Sequence, residues 1–531
     1  MIDKRKIGSF YTPEIVANFL VDYLSPKLKG ENLTVLEPSS GDGSFIRSIF
    51  NHKMFLSKLK KVTAVEREAE ELEKVRAITK SKLLKTVYAD FLEFQDKNKE
   101  QFSLVIGNPP YFKKGLLTEK QLAYCEGIHK HYSTLSDNKI KNIWTAFLVR
   151  SIQFVNETGL LALVLPSELL QVKFAAELRA LILNEFERVE IFTFNELLFK
   201  DCKGQDTLLL IGERKSAKKG VYYCNIDKVN DLKQKKFTLA QNINIRESKW
   251  THHHLTTDEI ELLEKIKQQL KNANYYCTSK AGIVTAANDY FIVNSSTIKE
   301  YSLERFVKPI IQKGSFVNGS VILSKIEFEE LVSKAKPTYL IALDKCIEIG
   351  ENEKINDYLA MGIEKEINVR YKTSIREKWY EVPNIRTAPE AFFFKRCNEY
   401  PKLIKNDANV LTTDSAYTIE MKNGYEINDL IFSFYNSLTL SFAELNGRYG
   451  GGVLELTPNE FKNLPVPYMK IGTKEFKAFV KSFKEKSSIK EVCEKNDAAI
   501  LKSIDNKLDI DNINKIYSIR EKLYLRRIKT N

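Results

Sequence analysis

The run Leu104-Val105-Ile106-Gly107-Asn108-Pro109-Pro110-Tyr111 decides how this chain is read. Apolar residues closed by Gly and Pro describe a buried parallel strand entering a loop. That loop lies at the strand's carboxyl end, the edge of an open α/β sheet where ligands bind. The two prolines fix φ and restrict the residue before them, so Asn108 and Tyr111 are held in place. Asn108 offers a side-chain acceptor, the backbone carbonyls of Asn108 and Pro109 offer more, and Tyr111 supplies a flat apolar face with a polar tip. Such groups suit an exocyclic amine on a flat base. An Asn-Pro pair by itself marks only a turn; the residues upstream give it further meaning.

Gly8-Ser9-Phe10-Tyr11-Thr12-Pro13 precedes Ile15, Val16, Phe19, Leu20 and Tyr23 at helical spacing, with Pro13 in the first turn and Thr12 as the expected N-cap. A strand over residues 33–37 leads into Pro38-Ser39-Ser40-Gly41-Asp42-Gly43-Ser44-Phe45 and a helix through Phe50. Two glycines one residue apart between strand and helix let a ligand approach the backbone closely. The next strand, residues 62–65, ends in Glu66, about where such folds hold a ribose. A third, residues 86–88, closes on Ala89-Asp90-Phe91. Three strands thus finish in Glu37, Glu66 and Asp90 and the fourth in Asn108; a single acid there is an ordinary cap, but the repetition is what a bound nucleoside requires. Farther on, a helix over 143–155, a strand over 159–166, a helix over 169–183 and strands over 189–194 and 207–211 continue the β/α order. The last two strands are joined through Phe199-Lys200-Asp201-Cys202-Lys203-Gly204-Gln205, with no room for a helix, so the final strand runs antiparallel.

A chain of 531 residues exceeds a single core and suggests two main units. With 43% hydrophobic and 28% charged residues it is neither disordered nor fibrous. No apolar stretch reaches the roughly 18 residues of a membrane span, and Met1-Ile2-Asp3-Lys4-Arg5-Lys6 leads into no signal-peptide core, so a cytoplasmic protein is expected. The seven cysteines show no metal or redox spacing and are expected reduced and buried. His252-His253-His254 cannot all face one ion from a regular element and reads as a solvated linker; no metal is expected. A net charge of +13 favours a polyanionic partner without naming it. Residues 215–219 are polar and read as a boundary. Beyond them short β-prone runs, such as 290–293 and 338–341, mix with helices. From Lys470 the chain is helical, with Ile513, Ile516, Tyr517 and Ile519 as a packing face. The expected division is 1–214, 215–470 and a helical extension, 471–531, packed on the middle part.

Over the first 214 residues these motifs resemble those of the gamma-class S-adenosylmethionine-dependent DNA amino-methyltransferases, the TaqI-type adenine-N6 enzymes. Gly8 to Pro13 is similar to the family's N-terminal cofactor motif, Glu37 to Phe45 to its glycine motif, Glu66 to its ribose acid, Ala89-Asp90-Phe91 to its adenine-ring motif, and Asn108 to Tyr111 to its catalytic loop. Ser39-Ser40 departs from the aromatic or other residue that many members carry before the first glycine. The resemblance implies a Rossmann-like class I α/β domain, a mostly parallel seven-stranded sheet with one antiparallel strand, followed by a mixed α+β DNA-recognition domain. Gly282 to Phe291 and Arg448 to Pro458 are the segments that resemble the latter. It implies a cofactor, S-adenosyl-L-methionine, held by Tyr11, Thr12, Glu37, Pro38, Ser39, Gly41, Gly43, Glu66, Asp90, Phe91 and Asn108. It also implies catalysis by Asn108, Pro109, Pro110 and Tyr111, and a target adenine rotated out of the duplex and stacked between Tyr111 and Phe199. Double-stranded DNA is the implied partner of a monomer, with a cognate restriction endonuclease beside it or none. Lys308, Lys313, Arg370, Lys372, Arg386 and Arg448 are the DNA-contact candidates, each more readily a solvated surface charge or phosphate contact than a base reader.

An aromatic amine is a poor nucleophile because its lone pair is delocalised. Acceptors at Asn108 and Pro109 draw the nitrogen toward tetrahedral geometry, and fixed dipoles meet its growing positive charge. Three rival readings remain. The same loop serves methyltransferases acting on RNA guanine or on protein glutamine, although some 300 further residues speak against a small protein methylase. A bifunctional restriction enzyme needs a nuclease, for which the chain leaves no room ahead of Gly8. A non-catalytic DNA-binding subunit is at odds with the intact loop and strand-end acids.

Overall fold

The alternation of residues along the central strands explains why they read as unbroken apolar runs. In the computed structural model, which describes residues 11–94, 100–133, 135, 140–196, 198–199, 206–234, 237–242, 250, 255–317, 319–343, 353–450, 452–504 and 508–528, Leu104 and Ile106 pack into one core while Val105 packs into another. Leu160, Ala162 and Val164 join the first, and Leu161, Leu163 and Leu165 the second. A sheet buried on both faces needs apolar residues at every position. Helix Glu14–Leu24 covers one face through Val16, Phe19 and Leu20, and helix Trp144–Phe154 the other through Phe147, Leu148 and Ile152.

The described residues form two compact units, one up to Thr257 together with Ile528, the other Asp258–Arg527. The first holds strands β1 (Leu33–Glu37), β2 (Leu59–Glu66), β3 (Leu84–Tyr88), β4 (Phe102–Gly107), β5 (Val155–Pro166), β6 (Arg188–Phe194), β7 (Thr207–Glu213), β8 (Gly220–Ile226) and β9 (Ala240–Asn242). Their order is β3-β2-β1-β4-β5-β7-β6-β8-β9. β1 to β5 run parallel as neighbours, and β7 lies antiparallel to both β5 and β6, as the short connection requires. The seven-stranded plan is present and is extended by two strands. β8 pairs in parallel with β6 from Arg188↔Gly220 to Phe194↔Ile226, so a boundary at 214 falls inside this sheet. The strand order reverses between β1 and β4, and the loops after these two strands flank that switch point.

Two local expectations are corrected. Helix Glu14–Leu24 takes Pro13, not Thr12, as its N-cap residue and has no side-chain cap, because Pro13 is extended at ψ 138°. The helix expected over 169–183 is broken into Glu168–Gln171, a 3-10 turn and Ala176–Glu185. Buried Arg179 donates to the carbonyls of Leu169 (2.7 Å) and Val172 (3.3 Å), satisfying groups that the break exposes.

The second unit is built from small sheets and helices. One sheet has five strands, including Cys277–Ala281, Ala416–Met421 and Ala391–Phe394; another has four, including Val307–Ile311 and Leu411–Thr412. Of the expected β-prone runs, 339–341 is a strand, whereas 288–291 forms a helical turn before the two-residue strand Ile292–Val293. The terminal helices Thr473–Glu485, Ile489–Ile504 and Ile510–Arg527 belong to this unit rather than extending from it. Ile516 and Ile519 are buried as expected. Arg527 is fully buried and makes a paired contact with Glu444 at 2.9 Å.

Gly43 has φ +81°, and a Cβ there would stand 2.4 Å from Ile78 Cδ1 and 3.3 Å from Val75 Cγ2. A left-handed conformation costs an L residue roughly 1–2 kcal/mol. Gly43→Ala is therefore expected to lower unfolding free energy by about 2 kcal/mol, read as a shift in denaturant midpoint at constant slope.

Candidate active site

The loops after β1 to β4 line one pocket, formed by Tyr11, Pro38, Ser39, Gly41, Glu66, Arg67, Glu68, Ala89, Asp90, Phe91, Asn108, Pro109, Pro110, Phe112, Ile143 and Phe147. Ten of the expected site residues are thus brought together. The neighbours Arg67, Glu68, Phe112, Ile143 and Phe147 were not anticipated. Adjacency to Glu66 and Tyr111 signals the first three, and Ile143 and Phe147 sit one helical turn apart.

Glu66 is the best-anchored acid. Its Oε2 accepts from the Gly41 amide (2.8 Å), and its Oε1 accepts from the amides of Arg67 and Glu68 (both 2.9 Å). Oε1 is thereby filled, and Oε2 keeps a further lone pair for a ligand hydroxyl. Asp90 accepts from the Leu92 amide (2.9 Å) and from Gln121 Nε2 (3.3 Å). Gly41 has φ +48°, and a Cβ on it would lie 3.5 Å from the Tyr11 ring, whose hydroxyl donates to Glu71 at 2.8 Å. Gly8, Ser9 and Phe10 of the same motif lie outside the described residues, as do Lys200 to Gln205 and the three histidines 252–254.

Glu37 is 1% exposed, and its Oε2 has no hydrogen-bond partner among the described residues. Burial, reinforced by the nearby carboxylates of Glu66 and Asp42 and only partly offset by Arg47, pushes its carboxyl well above the usual range. Arg47 is itself engaged with the Asp42 carboxylate at 2.7 Å. A buried acid with an orphaned oxygen among other acids is a place for a cation. Thr12, Glu37 and Gly43 do not line the pocket; Thr12 is buried, and Gly43 serves the turn.

In the catalytic loop the Tyr111 hydroxyl lies 2.8 Å from Asn108 Oδ1 and 3.0 Å from the Val164 carbonyl, and the Asn108 carbonyl accepts from Ser39 Oγ at 3.1 Å. Tyr111 is 8% exposed and packs in the core that contains Trp144; Phe199 is 6% exposed and packs in the opposite core. Both rings expected to stack on the target base are thus largely taken up by core packing.

In the second unit a separate cleft gathers Lys313, Arg370 and Lys372 with Thr285 to Asn288 of the Gly282 segment. Lys308, Arg386 and Arg448 do not line it. Arg370 is paired with Asp289 at 3.2 Å and Arg448 with Glu460 at 3.2 Å.

Comparison with known proteins gives a consistent picture. Residues 39–199 match the family model described as Eco57I restriction-modification methylase, and residues 247–501 that of the C-terminal domain of Type II methyltransferase M.Eco57I. The chain is 25% identical over 482 residues to the Type II methyltransferase M.AccI of Acinetobacter calcoaceticus, covering 86% of this chain and 84% of that one. It is 26% identical over 216 residues to M.HincII of Haemophilus influenzae, covering 38% of each. The fold is similar to that of a DrdV-DNA complex, with a TM-score of 0.54, 11% identity, and coverage of 91% of this chain and 58% of that chain. No helix among the described residues is long and apolar enough to cross a membrane.

The cofactor of this fold and family is S-adenosylmethionine. The residues present fit it: a buried acid lacking a partner suits its ammonium group, and strand-end acids lining a pocket suit its ribose and adenine. An acid whose pKa is raised by folding loses stability as the pH climbs past its unfolded value. Glu37→Gln is accordingly expected to raise the melting temperature of the free protein at pH 7–8, the gain shrinking as the pH falls toward the usual glutamate range; thermal melts across pH 4–8 check this.

Proposed function

The chain belongs to the gamma-class DNA methyltransferases of restriction-modification systems, and from that premise we propose that it methylates N6 of an adenine rotated out of duplex DNA. The observation that carries the reading is that the Asn108 carboxamide, tied to the Tyr111 hydroxyl, borders the same pocket as Glu66 and Asp90.

The cofactor, when bound, supplies a methyl group on a positively charged sulfur. Glu37 would take its ammonium, Glu66 Oε2 would accept from a ribose hydroxyl, Asp90 with the Phe91 amide would hold its adenine, and Tyr11 with the Gly41 turn would border its methionine end. Asn108 Oδ1 and the Pro109 carbonyl accept hydrogen bonds from the substrate amine and hold its lone pair toward the methyl group. Two fixed acceptors then stabilise the positive charge that develops on nitrogen, and no strong base is needed. Tyr111 acts as a positioning residue: its hydroxyl fixes the rotamer of Asn108, and Val164 on β5 fixes that hydroxyl. Duplex DNA is the substrate class, and an endonuclease of the same recognition sequence is the expected companion.

Three variants test these roles against radiolabelled methyl transfer to duplex DNA, followed by nucleoside analysis for 6-methyladenine. Asn108→Ala is expected to lower kcat at least 100-fold with cofactor and DNA affinity within threefold of wild type, and Glu37→Gln to weaken cofactor affinity about tenfold in calorimetry. Label found in cytosine, RNA or protein, or undiminished turnover by Asn108→Ala, overturns the proposal. Tyr111→Phe keeps the ring and loses the hydroxyl whose single proton is shared between Asn108 Oδ1 and the Val164 carbonyl, a loss of about 0.5–1.5 kcal/mol. Its kcat should fall roughly tenfold at unchanged KM; full activity would make Tyr111 a stacking residue only.

A further inference from the structure

We infer that Gln312 is a sequence-reading residue of the second unit, contacting a base edge of the DNA, with Lys313 beside it on a phosphate. The inference rests on the proposed methylation of duplex DNA and adds to it a residue that no resemblance assigns.

Strands Val307–Ile311 and Leu411–Thr412 run parallel, pairing Ile310↔Leu411 and Ile311↔Thr412, so Gln312 and Thr413 emerge side by side at their carboxyl ends. The backbone there is pinned. The Gln312 carbonyl accepts from Ser415 Oγ (2.7 Å) and Thr413 Oγ1 (3.3 Å), and the Asp414 amide donates to the Ile283 carbonyl (3.0 Å). Gly282 closes the third side, where a Cβ would stand 2.2 Å from the Thr413 carbonyl oxygen. Only glycine permits that approach.

On this fixed base Gln312 as a whole is 9% exposed, and its amide, which forms no hydrogen bond among the described residues, is not sealed from solvent. It lines two adjoining clefts that share Gln312, Lys313 and Asp414. A primary amide carried on a pinned backbone and open to a cleft offers a partner one donor and one acceptor. The major-groove edge of adenine presents that pair at N6 and N7. The surroundings favour nucleic acid: Lys313 is exposed and has no ion pair among the described residues, and Lys365 and Lys372 line the same cleft.

The test uses the full chain, with Gln312→Ala and the near-isosteric Gln312→Met, each checked for an unchanged melting temperature and cofactor affinity. Two readouts are taken: the methylated motif by modification-aware sequencing of treated DNA, and the bound motif by selection from a random duplex library without cofactor. The expected result is at least a tenfold loss on the wild-type motif with relaxation at one base pair in both readouts. Lys313→Ala should instead weaken binding evenly across sequences and lower the salt slope by about one. An unchanged motif in both Gln312 variants, or an even loss on all sequences, overturns the inference. If wild type selects a motif that Gln312→Ala broadens but transfers no methyl group to DNA, the functional proposal fails and the inference stands. If wild type selects no motif, the inference fails.

Discussion

The carboxylate of Glu66, accepting from the amides of Gly41, Arg67 and Glu68, is the constraint on which the site depends. The carboxyl ends of parallel strands leave backbone groups without ladder partners, and each has to be satisfied. Here the satisfaction runs sideways from strand to strand. The Ala89 amide after β3 donates to the Glu66 carbonyl at the end of β2, Glu66 holds the turn after β1, Ser39 in that turn donates to the Asn108 carbonyl after β4, and Tyr111 reaches the Val164 carbonyl on β5. Five strand ends are laced by single hydrogen bonds. The lacing that stabilises the edge also aligns the acids and amides that face the pocket.

That edge carries more negative charge than folding alone favours. Glu37 is buried near Glu66 and Asp42, and Arg47 is already committed to Asp42. A purely structural edge would be cheaper with an amide or apolar residue at position 37, since an unpaired buried carboxyl costs stability in the free protein. Retaining the acid makes sense if a ligand cation completes the network. The strain is placed at a functional site rather than distributed through the core.

Much of the first unit was legible because its signals are local. Alternation on a doubly covered sheet gives continuous apolar runs, and glycines with positive φ at 41 and 43 mark the turn, where a Cβ at 43 would also clash with Ile78. Less legible were features set by tertiary contact. The break in the helix after Glu168 depends on buried Arg179, and the continuation of the sheet through β8 depends on pairing with β6. In the second unit many strands are only two to four residues long, too short for periodicity to register. Charge singled out six cations, of which the cleft gathers three, whereas Gln312 carries no sequence signal and is visible only through its burial and its unpaired amide.

Tyr111 and Phe199 pack into cores on opposite faces of the sheet. A base sandwiched between them therefore requires at least one ring to leave its core. Exposing a buried aromatic ring costs about 1.5–3 kcal/mol, and stacking a base on it returns roughly 1–3 kcal/mol, so the exchange is close to balanced and small differences select the ring that moves. Tyr111 would also give up hydrogen bonds to Asn108 and Val164, and with them the alignment of the carboxamide. Phe199 has no hydroxyl to release. If a base is captured as proposed, the energetics favour a division of labour, with Tyr111 staying in place to orient Asn108 while Phe199 moves out to meet the base.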